Sequence, residues 1–362
     1  MPIQAAGYAA QTAADKLAPM TFERRDVGPR DVRIDVTHCG VCHSDIHQVK
    51  NEWMNTVYPC LPGHEVVGRV AEVGAEVDDL KQGDVVGVGC MIDSCRQCEP
   101  CKSGEENYCQ GPNSWLATYN GPMTPKDEAG ENIYGVDNTF GGYSNVLVVD
   151  RDFVLRVPEG LKPEEAAPIL CAGVTTYSPL RHAGVKAGSK VGVVGLGGLG
   201  HMALKLAKAM GAEVTVFTSS KEKLEDAKAL GADHAFLEND KPSLEPLEAS
   251  LDFIITTVPE SHDVNPFVKL LVKEGKLVIV GALDVMAGVD NMEAASMRRS
   301  VGGSLIGSLA ETQEVLDFCA EHGVAPEIEI IDIADVNDAY DKVERGEVRF
   351  RYVIDMSTLK AA

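Results

Sequence analysis

The sequence predicts an α/β chain in two parts, a β-rich domain followed by a doubly wound parallel sheet. Three observations lead there. The chain has 362 residues, more than a typical single domain. Its first 150 residues are short β-branched runs broken by Gly and Pro. From about Glu164 onward, helical and strand patterns alternate, as they do when crossover helices join parallel strands.

The elements can be justified in order. DVRIDVTHCG, HEVVGRVAEVG, DVVGVGC and YSNVLVVD read as strands of the first domain, separated by irregular loops. The stretch from Pro112 to Gly142 is polar and rich in Gly, Asn and Pro, and reads as a long loop. KVGVVG is a strand, after which Leu199, Met202, Ala203, Leu206, Ala207 and Met210 recur at helical spacing. The strand EVTVF, the helix KEKLEDAKALG, the strand LDFIITTV, the helix VNPFVKLLVKEG and the strand KLVIVGA follow. The tail, from roughly Glu311, mixes the helices ETQEVLDFCAEHG and VNDAYDKVERGE with the strands EIEII and RFRYVID. The pattern leaves open whether this tail packs on the first domain or forms an appendage.

Composition narrows the function. Apolar residues make up 44%, charged residues 24% and aromatics 6%, an ordinary globular balance with ample core material. No apolar run approaches the roughly 18 residues of a membrane span. The start, MPIQAAGYAAQTAADKL, lacks the basic and apolar blocks of a secretory signal, so a cytoplasmic protein without membrane contact is expected. A formal charge of −22 argues against a nucleic-acid partner, because phosphate would be repelled. A small or neutral substrate suits that charge.

Gly195-Leu-Gly197-Gly198-Leu-Gly200 follows an apolar strand and opens an amphipathic helix. Such glycines let the backbone approach a pyrophosphate, and the helix start supplies N–H donors. Dinucleotide binding is expected; the plainer reading is a tight packing turn, and Gly198 alone fits that. An NAD enzyme usually carries Asp or Glu at the end of the second strand, roughly 20 residues on. Here the strand ends in Thr218, Ser219 and Ser220, with Lys221 and Lys223 beyond. Hydroxyls and an ammonium suit a 2′-phosphate, so NADP(H) is expected over NAD; the alternative is a Ser/Thr helix cap with solvated lysines.

Ten cysteines are present, and four of them cluster as Cys95-x2-Cys98-x2-Cys101-x7-Cys109. Without an export signal, clustering points to metal more than to disulfides. Four thiolates on one loop can close a tetrahedral zinc site of structural type. An iron–sulfur cluster fits the spacing less well, and a nucleic-acid zinc ribbon conflicts with the acidic charge. A dispersed set remains: Cys42 in CGVCHSD, His64-Glu65 in PGHEVVG and Cys171 in LCAGVTTYS. Two Cys and one His match a catalytic zinc with an open fourth position, though each also has a plain reading as a core residue. Cys39, Cys60, Cys90 and Cys319 read as buried core cysteines.

These segments together resemble the zinc-dependent medium-chain alcohol dehydrogenases, and more narrowly the cinnamyl-alcohol-dehydrogenase-like branch. CGVCHSDIHQ, YPCLPGHEVVGRV, GDVVGVGC, the four-cysteine loop, LCAGVTTYSPL, VGLGGLGHMALKLAKAMGAEV and GSLIGS stand in family order across nearly the whole chain. The resemblance implies catalytic zinc on Cys42, His64 and Cys171, with Glu65 as an occasional alternative ligand. It implies that Asp45 supports His64 and that Ser44 and His47 relay the alcohol proton to solvent. Thr175, Thr257, Gly281, Ser304, Leu305 and Ile306 would contact the cofactor. Thr218, Ser219, Ser220 and Lys223 match the branch's 2′-phosphate site. The implied architecture is a GroES-like catalytic domain over residues 1–165, a Rossmann-type domain over 166–306, and a tail over 307–362 returning to the first. Two zinc ions per subunit and a homodimer formed through the nucleotide sheets complete the expectation. Trp53 and Trp115 would line the substrate pocket. The loop between Cys109 and Gly141 is longer than in the plant enzymes, so their phenylpropanoid substrate is not carried over.

The expected reaction is hydride transfer between nicotinamide and a small or aromatic primary alcohol or aldehyde, with aldehyde reduction the favoured direction. The rivals are a zinc-free quinone or enoyl reductase on the same scaffold and a non-enzymatic nucleotide- or zinc-binding protein.

Overall fold

Alternation of apolar side chains organises the first strands. In a computed structural model, which describes residues 2–111, 118–120, 138–282 and 285–360, β1 (Ile3–Ala9) pairs antiparallel with β2 (Ala18–Arg24). Strand β3 (Asp31–Gly40) buries Val32, Ile34 and Val36 on one face and leads into helix α1 (His43–Val49). β4 (Val66–Val73) pairs antiparallel with β3, and β5 (Val85–Val88) extends the sheet from β4. The short helix α2 (Glu99–Ser103) lies in the four-cysteine loop and ends at Gly104 in left-handed conformation. β6 (Val146–Asp150) pairs with the first half of β3, and β7 (Leu155–Arg156) with β5. Helix α3 (Pro163–Pro168) packs on β3 and β4.

The chain then builds a separate unit. Helix α4 (Val174–His182) precedes β8 (Lys190–Val194), α5 (Gly198–Ala209) and β9 (Glu213–Thr218). Next come α6 (Glu222–Ala229), β10 (His234–Leu237), the single turn α7 (Lys241–Leu244) and β11 (Leu251–Thr256). The single turn α8 (Asn265–Val268), β12 (Leu271–Ile279), α9 (Asn291–Ser296) and β13 (Ser300–Gly303) finish it. The strands form one parallel sheet in the order β10-β9-β8-β11-β12-β13. Val191, Val193, Val214, Val216, Ile254 and Ile255 are completely buried, as strands covered on both faces require. Strand order reverses at β8, so the carboxyl ends of β8 and β11 flank a switch point, where such sheets bind ligands.

One sequence expectation is corrected here. VNPFVKLLVKEG is not a full helix: α8 stops at Val268 and β12 starts at Leu271. Val268, Leu270 and Leu271 sit in the core with Ile254 and Phe267, and Leu271 pairs with Leu251 of β11. A short apolar run gives the same hydrophobic count for helix and strand, and here sheet pairing decides.

The tail adds helix α10 (Leu309–His322), β14 (Ile328–Asp332), helix α11 (Val336–Glu344) and β15 (Arg351–Asp355). β15 pairs antiparallel with the last residues of β3, joining Val353 to Gly40, and β14 lies parallel to β15. The chain thus divides into residues 1–171 with 308–362, and residues 172–307. The first junction falls after α3 because that helix packs on β3, β4 and β15, although helical texture begins earlier in the sequence. Among the described residues no helix is long and apolar enough to cross a membrane.

Candidate active site

Three separate segments converge in the first unit. Cys42 precedes α1, His64 and Glu65 precede β4, and Cys171 follows α3. Their ligand atoms (two sulfurs, an imidazole nitrogen and a carboxylate oxygen) lie within 4.8 Å of one another, and all four residues are buried. His64 Nε2 is 3.2 Å from Cys171 Sγ. The hydrogen bond with Cys171 holds Cys42 well below the usual thiol range and pushes Cys171 well above it, so the pair favours one thiolate.

Asp45 organises this cluster from behind. Fully buried in the first turn of α1, its carboxylate accepts from the N–H of Cys42 (3.0 Å), the N–H of Gly63 (3.0 Å) and His64 Nδ1 (2.9 Å). The last bond fixes the tautomer that leaves Nε2 facing the sulfurs.

Glu65 has an unusual neighbour. Arg351 of β15 places Nη2 2.8 Å from Glu65 Oε1, and both side chains are buried. The pair is in Coulombic contact without hydrogen-bond alignment, since neither Glu65 oxygen nor Arg351 Nη2 has a hydrogen-bond partner among the described residues. Burial pushes the Glu65 carboxyl up to about 8, against the opposing pull of Arg351. Two sulfurs and an imidazole nitrogen converge on one buried point, with the Glu65 carboxyl beside them. The donor set fits a zinc ion.

Ser44 and His47 stand three residues apart on α1, and therefore on one face. Ser44 is half-buried. His47 Nδ1 bonds Glu52, and its ring lies 5.6 Å from Trp53 and stacks on His43 at 5.0 Å. Trp115 and most of the long loop lie outside the described residues.

The four-cysteine loop brings its sulfurs equally close, within 4.8 Å, but Cys95, Cys98 and Cys101 are only half-buried. Backbone N–H groups point at sulfur: Cys98 to Cys95 (3.4 Å), Cys95 to Cys109 (3.3 Å) and Gly111 to Cys109 (3.3 Å). Although burial alone would raise it, N–H donors from residues 97 and 98 bring Cys95 down to about 6. Four preorganised sulfurs fit a closed zinc site. Arg96, at φ 58°, ties the loop to Asp150 (3.0 Å) and Asp152 (3.3 Å).

In the second unit, the expected nucleotide residues gather at the carboxyl ends of the parallel strands. Gly195 follows β8 at φ 88°, and a Cβ on Gly200 would sit 2.1 Å from the Gly195 carbonyl. The turn therefore excludes side chains at both positions. A Cβ on Gly197 would meet nothing within 4 Å, so that face is open, and Gly198 is the first residue of α5. Thr218 closes β9 with Ser219 exposed beyond it. The Ser220 hydroxyl donates to Glu222 (2.6 Å), and Lys223 lies on the first turn of α6. Thr257 follows β11 and donates to the Val194 carbonyl (3.0 Å). Gly281 follows β12 against the backbone of residues 257 and 258. Ser304, Leu305 and Ile306 follow β13, with Ile306 at φ 42°. Thr175, on α4, has a buried hydroxyl without a hydrogen-bond partner among the described residues, which fits a polar ligand.

Sequence reasoning missed four residues beside the metal cluster. Arg351 and Tyr143 come from distant parts of the chain, and no local pattern marks them. Glu52 sits in an irregular turn. Cys90 is buried as a core cysteine would be, yet its thiol also bonds Cys171.

The alcohol dehydrogenase GroES-like domain profile matches residues 28–159, and the zinc-binding dehydrogenase profile matches residues 198–321. The chain is 49% identical to aldehyde reductase YahK of Escherichia coli over 364 residues, covering 99% of each chain. Its structure is similar to a cinnamyl alcohol dehydrogenase of Sorghum bicolor, with TM-score 0.92, 44% identity and 99% of each chain covered. It is also similar to the cinnamyl alcohol dehydrogenase of Helicobacter pylori in complex with NADP(H), with TM-score 0.89 and 41% identity over 99% of this chain and 100% of that one. From donor set, strand-end constellation and these likenesses together, the chain belongs to the zinc-binding alcohol dehydrogenase family, in its cinnamyl-alcohol-dehydrogenase-like branch.

Proposed function

We propose that this protein is an NADP(H)-dependent alcohol dehydrogenase and aldehyde reductase acting on small or aromatic primary alcohols and aldehydes, with reduction the working direction. The single observation that carries this is the buried Cys42, His64 and Cys171 set, with Asp45 behind it and Ser44 and His47 on the adjoining helix. Residues 1–171 with 308–362 form the catalytic unit in this reading, and residues 172–307 bind the dinucleotide. The subunit carries two zinc ions, one on Cys42, His64 and Cys171 and one on Cys95, Cys98, Cys101 and Cys109. A cytoplasmic homodimer is part of the same proposal.

When bound at the first set, zinc supplies Lewis acidity that lowers the pKa of an alcohol or polarises an aldehyde carbonyl, and NADP(H) supplies the hydride acceptor or donor. The chain's own residues do the rest. Asp45 holds His64 in one tautomer and, through the Cys42 N–H, seats a second ligand. The Ser44 hydroxyl passes a proton toward the His47 imidazole three residues on along α1. Glu52 holds His47 Nδ1, so the other ring nitrogen takes the relayed proton. The Gly195–Gly200 turn admits a pyrophosphate, and Thr218, Ser219, Ser220 and Lys223 receive the 2′-phosphate. The Ser220–Glu222 bond must then open or share its hydroxyl.

Aldehyde-dependent oxidation of NADPH and NADH, measured with metal content per subunit, tests the reading. Lys223→Ala is expected to weaken NADPH binding by about 1.5–3 kcal/mol, the worth of a hydrogen bond to a charged group. NADH should be nearly unaffected. A parent that prefers NADH, or an equal loss for both cofactors, overturns the cofactor assignment.

A further inference from the structure

Asp45 is completely buried, so its carboxylate must be satisfied by donors close at hand. Its donors are two backbone N–H groups, His64 Nδ1 and one further side chain, the hydroxyl of Tyr143, 3.4 Å from Oδ2. Oδ1 serves Gly63 and His64, while Oδ2 serves Cys42 and Tyr143. Rotation of the carboxylate would disturb two candidate metal ligands at once.

Tyr143 is itself rigidly set. It is fully buried, its N–H donates to the Pro62 carbonyl (3.0 Å), and its carbonyl accepts from Tyr8 of β1 (2.9 Å). Its ring crosses Gly63 so closely that a Cβ there would lie 2.7 Å from the ring. Gly63 also takes φ 102°, a conformation that side-chain-bearing residues rarely adopt. The glycine that donates to Asp45 therefore also lets the tyrosine reach it. Tyr119 provides a contrast within the same shell. It too is buried, and its ring lies 5.7 Å from the His64 ring, but its hydroxyl has no hydrogen-bond partner among the described residues.

We propose that Tyr143 is a positioning residue for the catalytic metal: its hydroxyl fixes the Asp45 carboxylate, and Asp45 in turn orients His64 and Cys42. This rests on the metal assignment made above. Partners of metal-bound histidine alter metal affinity by about 10–100-fold, and a long hydrogen bond one step further out should act at the lower end, about five- to tenfold.

The test is the rate at which a chelator withdraws metal from the zinc-loaded protein, together with the absorption spectrum of the cobalt-substituted form. Tyr143→Phe should release one of its two metals about five- to tenfold faster and shift the cobalt bands. The four-cysteine metal should leave at the parent rate, and the melting temperature should hold. Tyr119→Phe should release both metals within about twofold of the parent, because its hydroxyl has no hydrogen-bond partner among the described residues. Parent-like release and spectrum in Tyr143→Phe, or equal acceleration at both sites, overturns the proposal. A parent holding one metal or none defeats the underlying assignment instead. The unsubstituted protein offers a second check should Tyr143→Phe fail to fold. In tyrosine-labelled protein, the Tyr143 hydroxyl proton should exchange slowly with water, and rapid exchange overturns the bond.

Discussion

The two cysteine-bearing clusters differ in how the chain builds them. Cys95, Cys98, Cys101 and Cys109 come from one loop, three of them half-buried, and local N–H groups point at their sulfurs. Cys42, His64 and Cys171 come from three segments, are wholly buried, and depend on Asp45 and on an arginine from the far end of the chain. A loop of four sulfurs can close around its ion almost unaided. The dispersed cluster exists only after tertiary folding, which is also what lets it be surrounded by aimed groups. Proximity of ligands is common to both; the neighbourhood divides structure from chemistry.

Exchanging one ligand at each site gives the largest expected contrast. Cys98→Ser should chiefly cost stability, since structural zinc contributes on the order of 10 kcal/mol in small zinc domains. Cys42→Ser should leave the melting temperature within a few degrees but cut kcat by about a thousandfold, several kcal/mol of lost charge stabilisation. Elemental analysis with thermal melting and kcat checks both. A Cys42→Ser protein that melts early while keeping turnover would reverse the two assignments.

Arg351→Met should cost about 1–3 kcal/mol by leaving the buried Glu65 carboxyl without its facing guanidinium. Adding Glu65→Gln should restore most of it. Denaturant unfolding of the zinc-loaded variants decides this, and additive losses would mean that the two groups are not energetically paired.

His47→Gln should keep both metals and slow alcohol oxidation by about ten- to a hundredfold, less than a full acid–base contribution because water replaces part of a relay. Parent-like kcat/KM between pH 6 and 9, with chemistry rate-limiting, would make His47 a bystander.

The smallest effect belongs to the loop's outer ties. Arg96→Gln should cost about 0.5–1 kcal/mol, as befits partly exposed ion pairs. Burial pushes Asp150 upward, yet the Asp152 N–H and the Arg96 and Arg30 guanidinium groups hold it below its ordinary value. The contribution should thus be complete at neutral pH and fade as acid protonates Asp150 below that value. A loss unchanged across the acid range would mean that the pairing of Arg96 with Asp150 does not carry it.

Local signals were readable in the sequence in proportion to their range. The four-cysteine spacing and the glycine turn before α5 encode geometry over a few residues. The helical and strand texture likewise gave every strand of the parallel sheet except β10 and β13, which are four residues each. Where a run was short and wholly apolar, as at Val268 to Leu271, periodicity could not separate helix from strand. Cys42, His64 and Cys171 were recognised through family resemblance, because spacing across such separations carries no geometry. Arg351, Tyr143 and Cys90 escaped even that, since nothing around them in sequence differs from an ordinary strand or turn.

The pairing of β15 with β3 also bears on the order in which a ribosome delivers this molecule. Residues 1–171 emerge first but cannot finish their sheet, because β14 and β15 are made last. The inserted unit, residues 172–307, is continuous and can fold as soon as it clears the exit tunnel. Until Arg351 appears, Glu65 has no guanidinium to face, and protonation or water must accommodate it. Arrival of the last strand thus becomes the step that gives the buried Glu65 its facing guanidinium. A chain truncated before β15 would present an open edge at β3, exposed to whatever strand or chaperone arrives first.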